Sequence, residues 1–190
     1  MTGMRISPLL LAAAIAAAPL TAHAQAPAAA PRSAPAAGPG DVDNIEHLIV
    51  ALYDTISGPA GAPRDWDRLR SLFWPGGRMG AVGKRPDGTV AIRVFDVETY
   101  ISRNGDYLKT HPFFERGVDN RVEGFGRLAT VQSLYESRTA PDAKPFDRGI
   151  NSIQLANDGH RWWVISIFWA DEAGDTKLPL DSLPPARSWR

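Results

Sequence analysis

The chain has no cysteine among its 190 residues. No disulfide can brace it, and no lipid can be attached at a cleavage-site cysteine as in bacterial lipoproteins. The folded part must rest on its own apolar core, which a domain of this length can supply. A charge surplus is missing too: 21 Lys and Arg balance 21 Asp and Glu. With no basic stripe and no polybasic run, neither nucleic acid nor an anionic membrane surface is an expected partner. The four histidines show no metal-ligand spacing, so neither a metal nor a cofactor is expected. No strand–helix–strand alternation is present, which argues against a parallel nucleotide-binding sheet. No Ser-His-Asp order, phosphate-binding loop, nucleophile elbow or internal repeat can be read.

Long apolar runs are also missing. Leu9 to Leu20 is about a dozen residues, too short to cross a bilayer. It follows Arg5 and precedes Ala22-His23-Ala24, the small–x–small pattern that signal peptidase reads. Residues 1–24 are therefore expected to be a secretory signal peptide. The mature chain would be periplasmic or secreted, with no stable membrane insertion after cleavage. Residues 25–40 are rich in Ala and Pro and read as a disordered linker. The folded domain is expected over 41–172. A Pro-containing tail, 173–190, carries Leu178, Leu180, Leu183 and Trp189 without clear periodicity.

What is present is a helix-first, strand-last pattern. Asp43 with Glu46 forms a capping box, and Ile45, Leu48, Ile49, Leu52, Tyr53 and Ile56 follow at helical spacing. Gly58-Pro59 ends that helix. Asp65 caps a second, short helix bearing Trp66, Leu69, Leu72 and Phe73, stopped by Trp74-Pro75-Gly76-Gly77. Residues 78–83 and 89–95 read as a glycine-rich peripheral hairpin closed by Pro86-Asp87-Gly88. Asp96 caps a third helix with Val97, Tyr100, Ile101 and Leu108 on one face, ended by His111-Pro112. Period-two patterns then predict strands over 113–124, 127–138, 148–156 and 161–169, the last two joined by Asn157-Asp158-Gly159. Helices segregated from a late antiparallel meander make an α+β fold.

The stretches Arg121 to Ala129, Tyr135-Glu136-Ser137-Arg138, Arg148 to Leu155 and Arg161 to Trp169 resemble the nuclear-transport-factor-2-like superfamily, in particular its SnoaL-like branch of small exported bacterial domains. The resemblance covers about 42–172. It implies three N-terminal helices packed on a curved antiparallel sheet, a cone with a pocket at its wide end. It leaves function open, because the superfamily holds isomerases, dehydratases, ligand binders and scaffolds.

Strand alternation predicts the pocket lining. Asn151, Ile153 and Leu155 face in together. Ala129, Val131, Ser133, Tyr135 and Ser137 form the set on the strand before, and Trp163, Ile165, Ile167 and Trp169 that on the last strand. The expected ligand-binding residues are Tyr53, Tyr135, Asn151, Ile167 and Trp169. A steroid-isomerase-like constellation needs a carboxylate base where this chain has Ala81 and an acid where it has Asn151, so that constellation is broken; Tyr53 matches its tyrosine. His111 and Tyr53 are the candidates for acid–base catalysis. Glu136, Arg138 and Arg148 read as a salt-bridged outer face. Three functions follow: binding of a small, mostly hydrophobic molecule, a lyase or isomerase acting on an unsaturated or carbonyl substrate, or a non-catalytic module that homodimerises through the convex sheet face, where Trp162 and Phe168 would lie.

Overall fold

The computed structural model describes residues 34–85, 87–173 and 176–178. The expected signal peptide, residues 25–33 of the linker, Pro86 and most of the tail lie outside the described residues.

The order is α1 Pro39–Val42, α2 Ile45–Ile56, α3 Trp66–Leu72, β1 Phe73–Lys84, β2 Val90–Phe95, α4 Val97–Thr110, β3 Phe114–Phe125, β4 Leu128–Arg138, β5 Asp147–Asn157 and β6 Trp162–Asp171. The α+β pattern expected from the sequence is present, with α1 as an addition. Val42 is buried and Ala37 packs against the core, so the packed chain starts ahead of Asp41.

Each longer helix starts where a short polar side chain takes a free backbone N–H. Asp65 accepts from Arg68 N at 2.9 Å and Asp96 from Thr99 N at 2.8 Å. On α2 the cap is Asn44, which accepts from His47 N at 2.8 Å, and not Asp43. Asp43 is still helical there, as the C-cap of α1, and its carboxylate meets His47 Nδ1 at 2.7 Å instead. The apolar stripe of α2 is buried: Ile45, Leu48, Ile49, Leu52 and Tyr53 all pack into the core.

The six strands form one sheet in the order β2-β1-β6-β5-β4-β3. Neighbours are antiparallel except β1 and β6, which run parallel. Two expectations are corrected here. First, β1 begins at Phe73, immediately after α3, and is an inner strand; of the two hairpin strands only β2 lies at an edge. Two of the β1 glycines, Gly77 and Gly80, mark close approach. A Cβ on Gly80 would lie 2.3 Å from the Phe168 ring, and one on Gly77 would lie 3.1 Å from the Phe73 ring.

Second, the inward face of β6 changes phase part-way along. Ile167 pairs with Ile153, but Val164 pairs with Leu155, so Ile165 is an extra residue at a bulge. Val164 is therefore buried, Trp162 packs toward the core, and neither Trp163 nor Ile165 belongs to the inner set. Trp163 instead donates from Nε1 to Asp158 Oδ2 at 2.8 Å and lies under the Arg161 guanidinium. On the other side of the sheet Glu136 is ringed by Arg116, Arg138 and Arg148, as the outer-face reading expected.

The core fills the space between α2, α3 and the inner face of the sheet. Leu48, Ile49, Leu69, Leu72, Phe73, Val131, Ile153, Leu155 and Val164 are essentially sealed from solvent.

Candidate functional site

Apolar packing stops short at one end of this core and leaves a cavity of about 230 Å³. Its apolar wall comes from Leu52 and Ile56 on α2, Leu69 on α3, Met79 on β1, Phe113, and Ile153, Ile167 and Trp169 on β5 and β6. The polar wall is built from neighbouring rows across the sheet. Glu115, Ser137 and Asp147 are register partners on β3, β4 and β5. Gly117, Tyr135, Gly149 and Asp171 form the next row across β3 to β6, and Asn120, Ser133, Asn151 and Trp169 the one after. The step from Gly117 to Asp119 skips Val118 through a second bulge, which brings Asn120 into line with Ser133.

Two glycines make these rows possible. A Cβ on Gly149 would lie 2.4 Å from the Tyr135 hydroxyl, so its absence lets Tyr135 reach across β5 to donate to Asp171 Oδ1 at 2.5 Å. A Cβ on Gly117 would lie within 3.0 Å of Asn120, Ser133 and Tyr53, which together form a buried polar chain. In that chain Asn151 Nδ2 donates to the Tyr53 hydroxyl at 3.2 Å, Tyr53 meets Ser133 Oγ at 2.5 Å, and Ser133 donates to Asn120 Oδ1 at 2.5 Å.

Electrostatics follow from this enclosure. Burial pushes the Glu115 carboxyl up to about 7, opposed by the Ser137 hydroxyl, which donates to it at 2.8 Å, and by the Asn151 amide; Asp147 and Asp171 repel its charge further. Asp147 is raised by burial and by Asp171. Burial likewise raises Tyr53 to about 12, and raises Tyr100 and Tyr135. Among the described residues, no Lys, Arg or His lines the cavity. Among the described residues, no group of three or more His, Cys, Asp or Glu is arranged to hold a metal ion.

The five residues expected to bind a ligand, Tyr53, Tyr135, Asn151, Ile167 and Trp169, all reach this cavity. His111 does not. It caps the end of α4, exposed, with Nδ1 3.1 Å from Tyr107 O and its ring stacked on Tyr107 at 4.3 Å. Ala81 is on β1, paired with Trp169, and is not part of the wall.

Sequence reasoning missed Glu115, Asp147 and Asp171. A signal existed for the first: Glu115 has the parity of Phe113 on a period-two strand, and Ser137 opposite it was already assigned inward. Asp147 and Asp171 stand at strand ends, where alternation carries no information until register is known.

The sequence matches no protein-family model and no curated protein. Solved structures do match the fold. A protein of unknown function with a cystatin-like fold from Nostoc punctiforme superposes with a TM-score of 0.51 at 15% identity, over 71% of this chain and 91% of that one. A nuclear-transport-factor-2-like protein of unknown function from Methylobacillus flagellatus gives 0.43 at 9% identity, over 68% and 95%. A protein of the nuclear-transport-factor-2-like family from Streptomyces avermitilis, proposed to be a dehydratase, gives 0.46 at 16% identity, over 70% and 97%. The fold is that of the first of these, a six-stranded sheet with helices packed on it. Helices α2 and α3 pack on part of the inner face of the sheet, and the cavity lies beside them. Likeness at this level of identity concerns the fold, so function has to come from the side chains on the cavity wall.

Proposed function

We propose that the protein binds a small, mostly apolar molecule in the cone cavity. The observation that carries this reading is the cavity's composition: an aliphatic and aromatic wall facing a compact set of hydrogen-bonding groups. That is the usual make-up of a small-molecule site, in which apolar surface supplies affinity and a few polar groups set orientation. Trp169 lies on the wall, so its fluorescence is a natural reporter. Titration with 2-phenylethanol should give a saturable change in wild type and none in an Ile56→Trp variant, which narrows the cavity from its half-exposed side; melting curves confirm that the variant is folded. A signal that is unsaturable, or unchanged in the variant, sinks the reading.

One observation favours a second reading, proton transfer of the lyase or isomerase kind. Glu115 stands on the cavity wall with a carboxyl that titrates around neutral pH, the property a general acid or base needs. It takes the place of His111, which is remote, and of Tyr53, whose hydroxyl is committed to the buried chain. A Glu115-dependent exchange of an acidic C–H with deuterated solvent would support this role.

We also infer that the protein works after export, on the strength of Arg5, the Leu9 to Leu20 run and Ala22-His23-Ala24. Sequencing of the envelope-fraction protein should find Gln25 first; an intact Met1 there would refute it.

A further inference from the structure

The direction of each hydrogen bond around the cavity follows from the chain behind it. Ser133 Oγ donates to Asn120 Oδ1, which uses the single Ser133 proton. Tyr53, 2.5 Å from Ser133 Oγ, must then donate to it, which uses the Tyr53 proton. What approaches the Tyr53 oxygen from Asn151 has to be a donor, and Nδ2 is the atom at 3.2 Å. The orientation of the Asn151 amide is thereby set.

The consequence is at the cavity. Asn151 is 4% exposed and lines the wall, and its Oδ1 has no partner among the described residues. The Ser137 proton goes to Glu115 and the Tyr135 proton to Asp171. Asn104 Nδ2 is held by Tyr100 O at 2.9 Å. The groups left facing the cavity are mostly acceptors: Asn151 Oδ1, the remaining lone pairs of Glu115, and Asp147. The exceptions are the Tyr100 hydroxyl, which accepts as well as it donates, the second N–H of Asn104 Nδ2, and the Glu115 carboxyl in its protonated form. Among the described residues, no basic side chain is on the wall to neutralise the carboxylates.

Resting on the binding reading above, we propose that the ligand is a small organic cation, a protonated amine on an apolar body, with its ammonium among Asn151 Oδ1, Glu115 and Asp147. An ammonium group has three donors and no acceptor. It gives the Asn151 amide oxygen, which opens on the cavity, a charged donor, and it relieves the mutual repulsion of Glu115, Asp147 and Asp171. A carboxylate or phosphate would meet like charge and few donors. The aliphatic and aromatic wall takes the apolar body.

The test compares three molecules of one shape, 2-phenylethylamine, 2-phenylethanol and phenylacetate, by calorimetry at neutral pH on the intact chain. The amine should bind about tenfold or more tightly than the alcohol, the margin of a charge-assisted hydrogen bond, and phenylacetate weakest of all. In Glu115→Gln the amine's advantage should shrink to about twofold; if that variant does not fold, the wild-type ranking decides alone. An alcohol that binds as well as the amine, or a phenylacetate that rivals either, overturns the amine assignment and leaves the binding reading standing. Absence of saturable heat with all three overturns both.

Discussion

Arg64 shows how a single charged side chain can close a loop without a carboxylate. It is 7% exposed, and its guanidinium donates to the carbonyls of Ile56, Gly58, Pro59 and Ala62 at 2.8 to 3.3 Å. These include the last carbonyl of α2, where a cation is favoured by the helix dipole. Replacement by Leu leaves those carbonyls without donors, and Arg64→Leu should lose about 1–3 kcal/mol in urea melts. Asn151 carries a structural duty as well as its proposed binding one. Asn151→Leu deprives Tyr53 of its donor and should cost about 1–3 kcal/mol in the unliganded protein by the same measurement. Glu115 predicts a pH dependence. Its carboxyl is raised from 4.5 to about 7, so the folded state holds this proton more tightly than the unfolded chain. Stability associated with it is present at low pH and is lost as pH climbs from about 4.5 through about 7, by roughly 3 kcal/mol once both states are ionised. Asp147, raised likewise, adds a loss of the same sign. In Glu115→Gln the fall in melting temperature across this window should be much shallower; an unchanged slope would remove Glu115 from the account.

At the scale of elements, the cavity depends on where strands depart from regularity. The bulge at Ile165 turns Val164 inward beside Leu155 while keeping Ile167 and Trp169 on the cavity side. The bulge at Val118 aligns Asn120 with Ser133 and so completes the polar chain. Strand β1 is admitted to the sheet interior because Gly80 leaves room for the Phe168 ring. Gly80→Ala forces Phe168 or the backbone of β2 to move, since Arg93 O also lies 2.9 Å from the added methyl. Overpacking of this kind should lower stability by about 1–3 kcal/mol, and Phe168→Ala in the same chain should recover part of the loss by vacating the space.

Across the described residues, the helices cover one face of the sheet incompletely, and the cavity lies in the remainder. Tyr53 links the two layers, standing on α2 and bonded to Ser133 of β4 and Asn151 of β5. Ligand occupancy and packing of α2 against the sheet should therefore be coupled, with amide exchange on α2 slowed by a bound amine. The start of the domain can be mapped by truncation. A chain beginning at residue 34 should melt with the full-length protein, whereas one beginning at residue 43 loses Ala37 and Val42 from the core and should melt lower.

Several things about this protein could be read from residue order alone, because they rest on local physics. Capping side chains at Asp65 and Asp96, the α2 stripe, period-two alternation on β4 and β5, and the Asn-Asp-Gly turn each act within a few residues. These local signals, with the resemblance they support, were enough for the α+β fold and for five residues of the cavity wall. The rest depended on register and on contacts between distant parts of the chain. A bulge is invisible until the partner strand is known, so the inward set of β6 was misassigned at Trp163 and Ile165. A glycine reads as weakness until the ring above it is seen, which is why β1 was placed at the periphery. Glu115, Asp147 and Asp171 are ordinary surface residues by type. Only the rows of the sheet bring them together on one cavity wall that, among the described residues, has no basic group, and that tertiary enclosure pushes the Glu115 carboxyl up to about 7.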